Sequence, residues 1–322
     1  MAYGELEKEL GECMDQYPPD FDRAKELLRK GADINATTGL DNETLLSETI
    51  MNCEAFDPCT YCISRDCDSC EDKENNEEIG KHYLIEIIKF FLENGYNTSL
   101  ENGAHGGEAL YALCFSTYDK CILDAAKFLL DAGADPLYIT DTVPEDQNVL
   151  DAVDWKYSGC LPVYGDLEQQ CLFFVLYDIM EAKTKGMPYS EIHWHDATIG
   201  KRIDRIYSCA PSDSEAVFDF STDEHHYTNC FKDNIVLECE GIKLVLTHYC
   251  HAFVNPYIVP EHPKDLSTHL GTLIGKRISK ISFSLNGNQS VLQVTMDDGS
   301  MLVIRDNADC LDEEYCARFS LE

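Results

Sequence analysis

Asp20-Phe-Asp-Arg-Ala-Lys-Glu-Leu-Leu-Arg-Lys-Gly-Ala-Asp-Ile-Asn35 decides how the N-terminal half is read. Ala24, Leu27 and Leu28 fall on one helical face, and Gly31 can take the left-handed backbone conformation that ends a helix. The same device returns as Ile87, Ile88, Phe91 and Leu92 before Gly95, and as Ala125, Ala126, Phe128, Leu129 and Leu130 before Gly133. Each copy is followed by polar turn residues and a second, shorter apolar segment: Thr44-Leu45-Leu46, Ala109 to Ala112, and Val149 to Ala152. Three copies make a repeat. One helix pair cannot bury its apolar face alone, whereas neighbouring pairs supply the missing wall.

The helix endings Lys30-Gly31-Ala32-Asp33-Ile34-Asn35 and Ala132-Gly133-Ala134-Asp135-Pro136 are close to the Lys-Gly-Ala-Asp ending of ankyrin repeats, and Asn94-Gly95-Tyr96-Asn97 follows it loosely. Residues from about 5 to 185 therefore resemble the ankyrin family, although none of the three following helices opens with both the Pro and the His of its Thr-Pro-Leu-His pattern. The resemblance implies an α-solenoid of helix pairs that holds a protein partner on its turns and inner helices. The turns concerned are Thr37 to Asp41, Glu101 to Gly106 and Thr140 to Glu145. Their candidate partner-binding residues are Thr37, Thr38, Asp41, Glu101, His105, Thr140, Asp141 and Glu145.

Gly31 and Gly95 lie further apart than Gly95 and Gly133, so the second repeat carries an insertion, placed at residues 52–80. It holds Cys59-x-x-Cys62-x-x-x-x-Cys67-x-x-Cys70, and four thiolates at that density could close a structural tetrahedral zinc site. The short separation between the two pairs and the flanking Asp66, Asp68, Glu71 and Asp72, which oppose thiol deprotonation, argue equally for reduced free thiols.

From about Tyr189 the helical period gives way to alternation, as in Leu292, Val294 and Met296. The division expected is thus a helical domain over 1–188 and a mainly antiparallel β domain over 189–322, an α+β multidomain chain. The β domain contains an internal copy: Thr198-Ile-Gly-Lys-Arg-Ile-Asp-Arg-Ile206 recurs as Leu273-Ile-Gly-Lys-Arg-Ile-Ser-Lys-Ile281. Each copy is followed by a hairpin signal, Glu240-Gly241 in the first and Asp297-Asp298-Gly299 in the second.

Charge bounds the partner. The net charge is -34, and residues 1–190 carry 14 basic against 38 acidic side chains. Such a field repels phosphate backbones and anionic lipid while steering basic proteins in, so nucleic acid and membrane are excluded as expected partners. Met1 to Asp15 shows no basic region followed by an apolar run, so a cytoplasmic chain is expected, with its 16 cysteines in a reducing compartment. The leading expectation is a non-catalytic interaction protein, in its concrete form an acidic immunity- or antitoxin-like inhibitor of a basic partner. A zinc-stabilised regulatory scaffold is the first alternative. The second is an enzyme with its site in the β domain around His193, His195, His225, His226 and Cys250, where His248 and His251 also cluster. No P-loop, Gly-x-Ser-x-Gly elbow or His-Glu-x-x-His is present, and Lys201, Arg202, Lys276 and Arg277 are expected to pair with the chain's own carboxylates.

Overall fold

A computed structural model describes residues 4–16, 18–38, 43–52, 83–98, 106–113, 120–139, 148–153, 167–209, 230–231, 234–247, 250–258, 263–286, 289–306 and 317–322. The chain is α+β, helical toward the N-terminus and built of antiparallel sheets toward the C-terminus. It divides into two compact units, residues 1–156 with 176–189, and residues 157–175 with 190–322.

The helical unit contains α1 (Glu5–Asp15), α2 (Phe21–Arg29), α3 (Leu45–Asn52), α4 (Leu84–Glu93), α5 (Gly106–Leu113) and α6 (Cys121–Asp131). Residues 149–153 are also helical, and the helix Leu167–Thr184 contributes its later turns. Helix α1 packs on α2 and on α3, α3 on α4 and α5, and α6 on α4 and α5. Phe21 of α2 meets Phe90 of α4 with ring centroids 5.4 Å apart. Of the apolar positions named by periodicity, Ala24 and Leu27, Ile87, Ile88 and Phe91, then Ala125, Ala126, Leu129 and Leu130 are buried, while Leu28, Leu92 and Phe128 are half-buried.

The turn that ends α2 shows why glycine stands there. Gly31 has φ +103°, its N–H donates to Leu28 O at 3.0 Å, and the Ala32 N–H reaches Leu27 O at 3.1 Å. That pair of bonds is the Schellman closure, which satisfies carbonyls the helix itself leaves open. It recurs at Gly95, with Tyr96 N–H to Phe91 O at 2.9 Å, and at Gly133, with Ala134 N–H to Leu129 O at 2.9 Å. Gly186 ends the helix Leu167–Thr184 in the same way, Met187 N–H reaching Ala182 O at 2.8 Å. A Cβ at Gly31 or Gly95 would meet nothing within 4 Å, so the only objection to a side chain is the backbone angle. Gly31→Val and Gly95→Val are each expected to lower the stability of this unit by about 1–2 kcal/mol, measured by urea unfolding followed through the helical circular dichroism signal.

The second unit holds two antiparallel sheets. The six-stranded sheet runs β3 (His193–Trp194), β8 (Ala252–Val254), β7 (Ile242–Leu246), β6 (Asn234–Cys239), β4 (Ile203–Cys209), β9 (Lys264–Asp265). The five-stranded sheet runs β10 (Ile278–Asn286), β11 (Gln289–Met296), β12 (Met301–Asp306), β13 (Ala317–Leu321), β5 (Cys230–Phe231). Alternate residues of both sheets enter one core: Ile235, Leu237 and Cys239 from β6, Leu244 and Leu246 from β7, Leu292, Val294 and Met296 from β11, Leu302 and Ile304 from β12. Burial pushes the Cys239 thiol up to about 12, with Asp204, Glu240 and Glu238 adding to the effect, so this sulfur behaves as a core atom. A short 3-10 turn precedes each Ile-Gly-Lys-Arg-Ile motif, His195–Thr198 before one and Gly271–Leu273 before the other. Gly200 and Gly275 both have positive φ, and both following strands begin with a register shift, at Ile203/Arg205 and at Ile278/Lys280.

Candidate functional site

The turns of the helical unit are held to each other, not merely to their own helices. After Gly31, Asp33 Oδ1 accepts the Asn35 N–H at 2.9 Å, closing a local turn, and Asp135 Oδ1 does the same for Leu137 after Gly133. Asn35 then spans to the next turn: its Nδ2 donates to Gly95 O at 3.1 Å and its Oδ1 accepts from Asn97 N–H at 2.7 Å. Thr98 continues the series by donating from Oγ1 to Ala132 O at 2.5 Å. Beyond Gly133 the links are Lys183 Nζ to Leu130 O at 3.0 Å and Tyr189 Oη to Asp131 Oδ1 at 2.5 Å. Burial, reinforced by the Asp131 carboxylate, pushes the Tyr189 hydroxyl up to about 12, so it remains a donor at any physiological pH.

Two of these turns project a short antiparallel pairing. Thr37 and Thr38 form β1, which pairs with β2 (Glu43–Thr44) in the register Thr37 to Thr44 and Thr38 to Glu43. The corresponding bridge after Gly133 joins Ile139 to Asn148. Entry into the following helix is closed by matching bonds, Leu45 N–H to Ala36 O and Val149 N–H to Tyr138 O, both 3.0 Å. Beneath the first pairing a buried hydroxyl cluster joins Thr44 Oγ1 to Ser47 Oγ at 2.9 Å and to Tyr96 Oη at 3.1 Å.

Of the eight turn residues singled out by sequence, Thr37 and Thr38 are placed at such a tip. Asp41, Glu101, His105, Thr140, Asp141 and Glu145 lie outside the described residues, as do Cys59, Cys62, Cys67 and Cys70. Leu137 and Ile139, not among the residues singled out by sequence, sit in the turn after Gly133 with 51% and 56% of their surface exposed. Large apolar side chains in a turn where solvation favours polar ones were the available signal. Gly186 was likewise not singled out, although Lys185-Gly186 copies Lys30-Gly31.

Carboxylates dominate the electrostatics of this unit. Glu7 accepts the Asp33 N–H at 2.9 Å and the Gly4 N–H at 2.9 Å, and the Asp33 bond foremost holds its carboxyl below the usual range. Arg23 is bound between Glu9 and Glu26, and Lys30 pairs with Glu26 at 2.7 Å. Burial pushes the Lys127 ammonium below its ordinary value, against the opposing pull of Asp124. Arg23, Lys30 and Lys183 are thus engaged with the chain's own groups.

In the second unit His193 is exposed on β3, while His195 and His251 are buried. The His195 ring lies against Trp194 (centroids 4.5 Å) and Phe283 (5.4 Å), with Asp196 Oδ1 3.4 Å from Nδ1; the His251 ring lies against Phe174 at 5.3 Å. Cys250 is buried at φ +61°, its thiol directed at Ser290 O (3.4 Å) and Ile304 O (3.6 Å). His225, His226 and His248 lie outside the described residues. Among the described residues no three His, Cys, Asp or Glu side chains gather to hold a metal ion. The four basic residues of the two motifs meet carboxylates: Lys201 and Arg277 reach Glu240 (3.8 and 3.1 Å), Arg202 reaches Asp204 (3.1 Å), and Lys276 reaches Asp298 (2.8 Å).

No family model, no curated protein and no solved structure matches the chain. No helix among the described residues is long and apolar enough to cross a membrane.

Proposed function

We propose that the protein is a non-catalytic interaction protein whose helix pairs form an ankyrin-like stack and whose turns receive a basic protein partner. The observation that carries this reading is the chain of bonds from turn to turn, through Asn35, Thr98 and Lys183, which joins four helix ends in series. Ends joined in that way lose little conformational freedom on binding. The pairing of first helices with first helices (α1 on α3, α3 on α5) and of second with second (α4 on α6) supports the same arrangement.

Charge supports the nature of the partner. Residues 121–153 alone carry seven carboxylates against one lysine, and they include the exposed Leu137 and Ile139. Apolar side chains within an acidic surround suit a partner surface that presents an apolar socket rimmed by Lys and Arg. The immunity- or antitoxin-like form of this function follows from the same complementarity, because a strongly acidic protein can cover the basic cleft of a nuclease. The β unit is read as two copies of one motif that brace each other, with a supporting role.

The test is affinity capture from the native lysate, followed by purification of the captured protein and a binding titration against salt. A partner of basic pI is expected, with affinity falling about ten-fold or more between low and moderate salt as the charges are screened. A partner of acidic pI, or one whose affinity is indifferent to salt, would overturn the reading.

A further inference from the structure

The starts of β4 and β10 are bonded to each other reciprocally. Gly200 N–H donates to Ile278 O at 2.7 Å and Gly275 N–H to Ile203 O at 2.8 Å; Ile203 N–H donates to Lys276 O at 2.9 Å and Ile278 N–H to Lys201 O at 3.0 Å. Arg202 stands opposite Arg277 in an antiparallel bridge. Every bond maps onto another when residues are exchanged between the copies at the constant offset that takes Gly200 to Gly275.

Past these bonds the correspondence fails, and the failure is informative. The outer edge of β4 is closed: Leu266 N–H donates to Ile206 O at 3.1 Å, and β9 pairs with Tyr207 and Ser208. The equivalent residues of β10 are Ile281, Ser282 and Phe283. The β10–β11 hairpin closes at Asn286 opposite Gln289, which sets the alternation. The backbone groups of Ser282 and Ser284 point to β11, and those of Ile281, Phe283 and Leu285 point away from it. Among the described residues no strand pairs with that outer edge. Leu285 is 44% exposed there.

We propose that this edge joins two copies of the chain, β10 pairing antiparallel with β10 of the second copy about Phe283. In that register Phe283 exchanges both backbone bonds with its counterpart, and Ile281 does so with Leu285 of the second copy. Every outward group is thereby satisfied and Leu285 is covered. Lys280 falls opposite Asn286, so no like charges meet. Charge also selects this edge. Residues 266–296 contain no Asp or Glu at all, in a chain of 59, and β10 lies wholly inside that window. Two chains of net charge -34 repel each other, and pairing β10 with β10 sets no carboxylate of one strand against a carboxylate of the other.

Sedimentation velocity on the full chain between about 1 and 100 µM, at low and high salt, tests the proposal. A dimer is expected, tightening about ten-fold as salt screens the mutual repulsion, the opposite of the trend for a basic partner. Leu285→Pro removes one outward N–H without touching the β11 ladder, and Leu285→Lys keeps the backbone but guards the edge with a charge. Both are expected to weaken dimerisation at least ten-fold. In the parent chain the amides of Ile281, Phe283 and Leu285 are expected to exchange more slowly with hydrogen isotopes as concentration rises. A monomer under all conditions, or a dimer unchanged by Leu285→Lys with those three amides indifferent to concentration, would overturn the proposal. Should Leu285→Pro unfold, Leu285→Lys and the amide exchange still decide.

Discussion

Phe91→Ala is expected to cost the helical unit about 3–5 kcal/mol, because the ring is fully buried and the site has little means of collapsing. Its loss reaches further than a single cavity. Phe91 touches Phe90 and Tyr96 edge-on, at centroid distances of 6.2 and 6.0 Å, and its carbonyl accepts the Tyr96 N–H that closes the turn. Tyr96 in turn supports the Thr44–Ser47 hydroxyls under the preceding pairing. One truncation therefore loosens the core, the helix end and the turn before it. Urea unfolding of the variant should show the helical circular dichroism transition moved to lower denaturant, while Trp194 fluorescence, which reports the β unit once the second tryptophan is removed by Trp155→Phe, keeps its midpoint. A cost below about 1 kcal/mol would mean that the helix ends do not depend on one another.

Ile203→Ala and Ile278→Ala form the second large expected effect, about 2–5 kcal/mol each. The two residues occupy the same place in the two motif copies, both are completely buried, and both donate a backbone bond to the opposite copy. Their costs are expected to agree within about 2 kcal/mol, the spread found for one buried truncation across differing sites. Trp194 fluorescence against urea, in the Trp155→Phe background, measures both. Strongly unequal costs would contradict the reading of the two halves as copies that brace each other.

Much of the fold was legible because it rests on local signals. Helix ends were readable at Gly31, Gly95 and Gly133, since a positive φ leaves few choices of residue. Strand alternation was readable at Leu292, Val294 and Met296, since β11 has one face in the core. The β11–β12 and β6–β7 hairpins were marked by Gly299 and Gly241 for the same backbone reason. Long-range geometry was not legible. Nothing in the string of residues tells that Asn35 bonds across to Gly95 and Asn97, or that β4 is closed on its outer edge while, among the described residues, no strand pairs with that of β10. Cys250 was weighed as part of a reactive cluster, yet its thiol is buried against two backbone carbonyls. Neither burial nor direction is encoded in residue type alone.

A photoreactive residue substituted at Ile139, and in a separate variant at Thr37, with the partner bound and illuminated, examines the docking face directly. Cross-links from both positions into a basic, apolar-centred surface of the partner are the expected result, with a control position at Lys264 in the β unit giving none. Cross-links from Lys264 alone, with Thr37 and Ile139 silent, would contradict a partner seated on the turns.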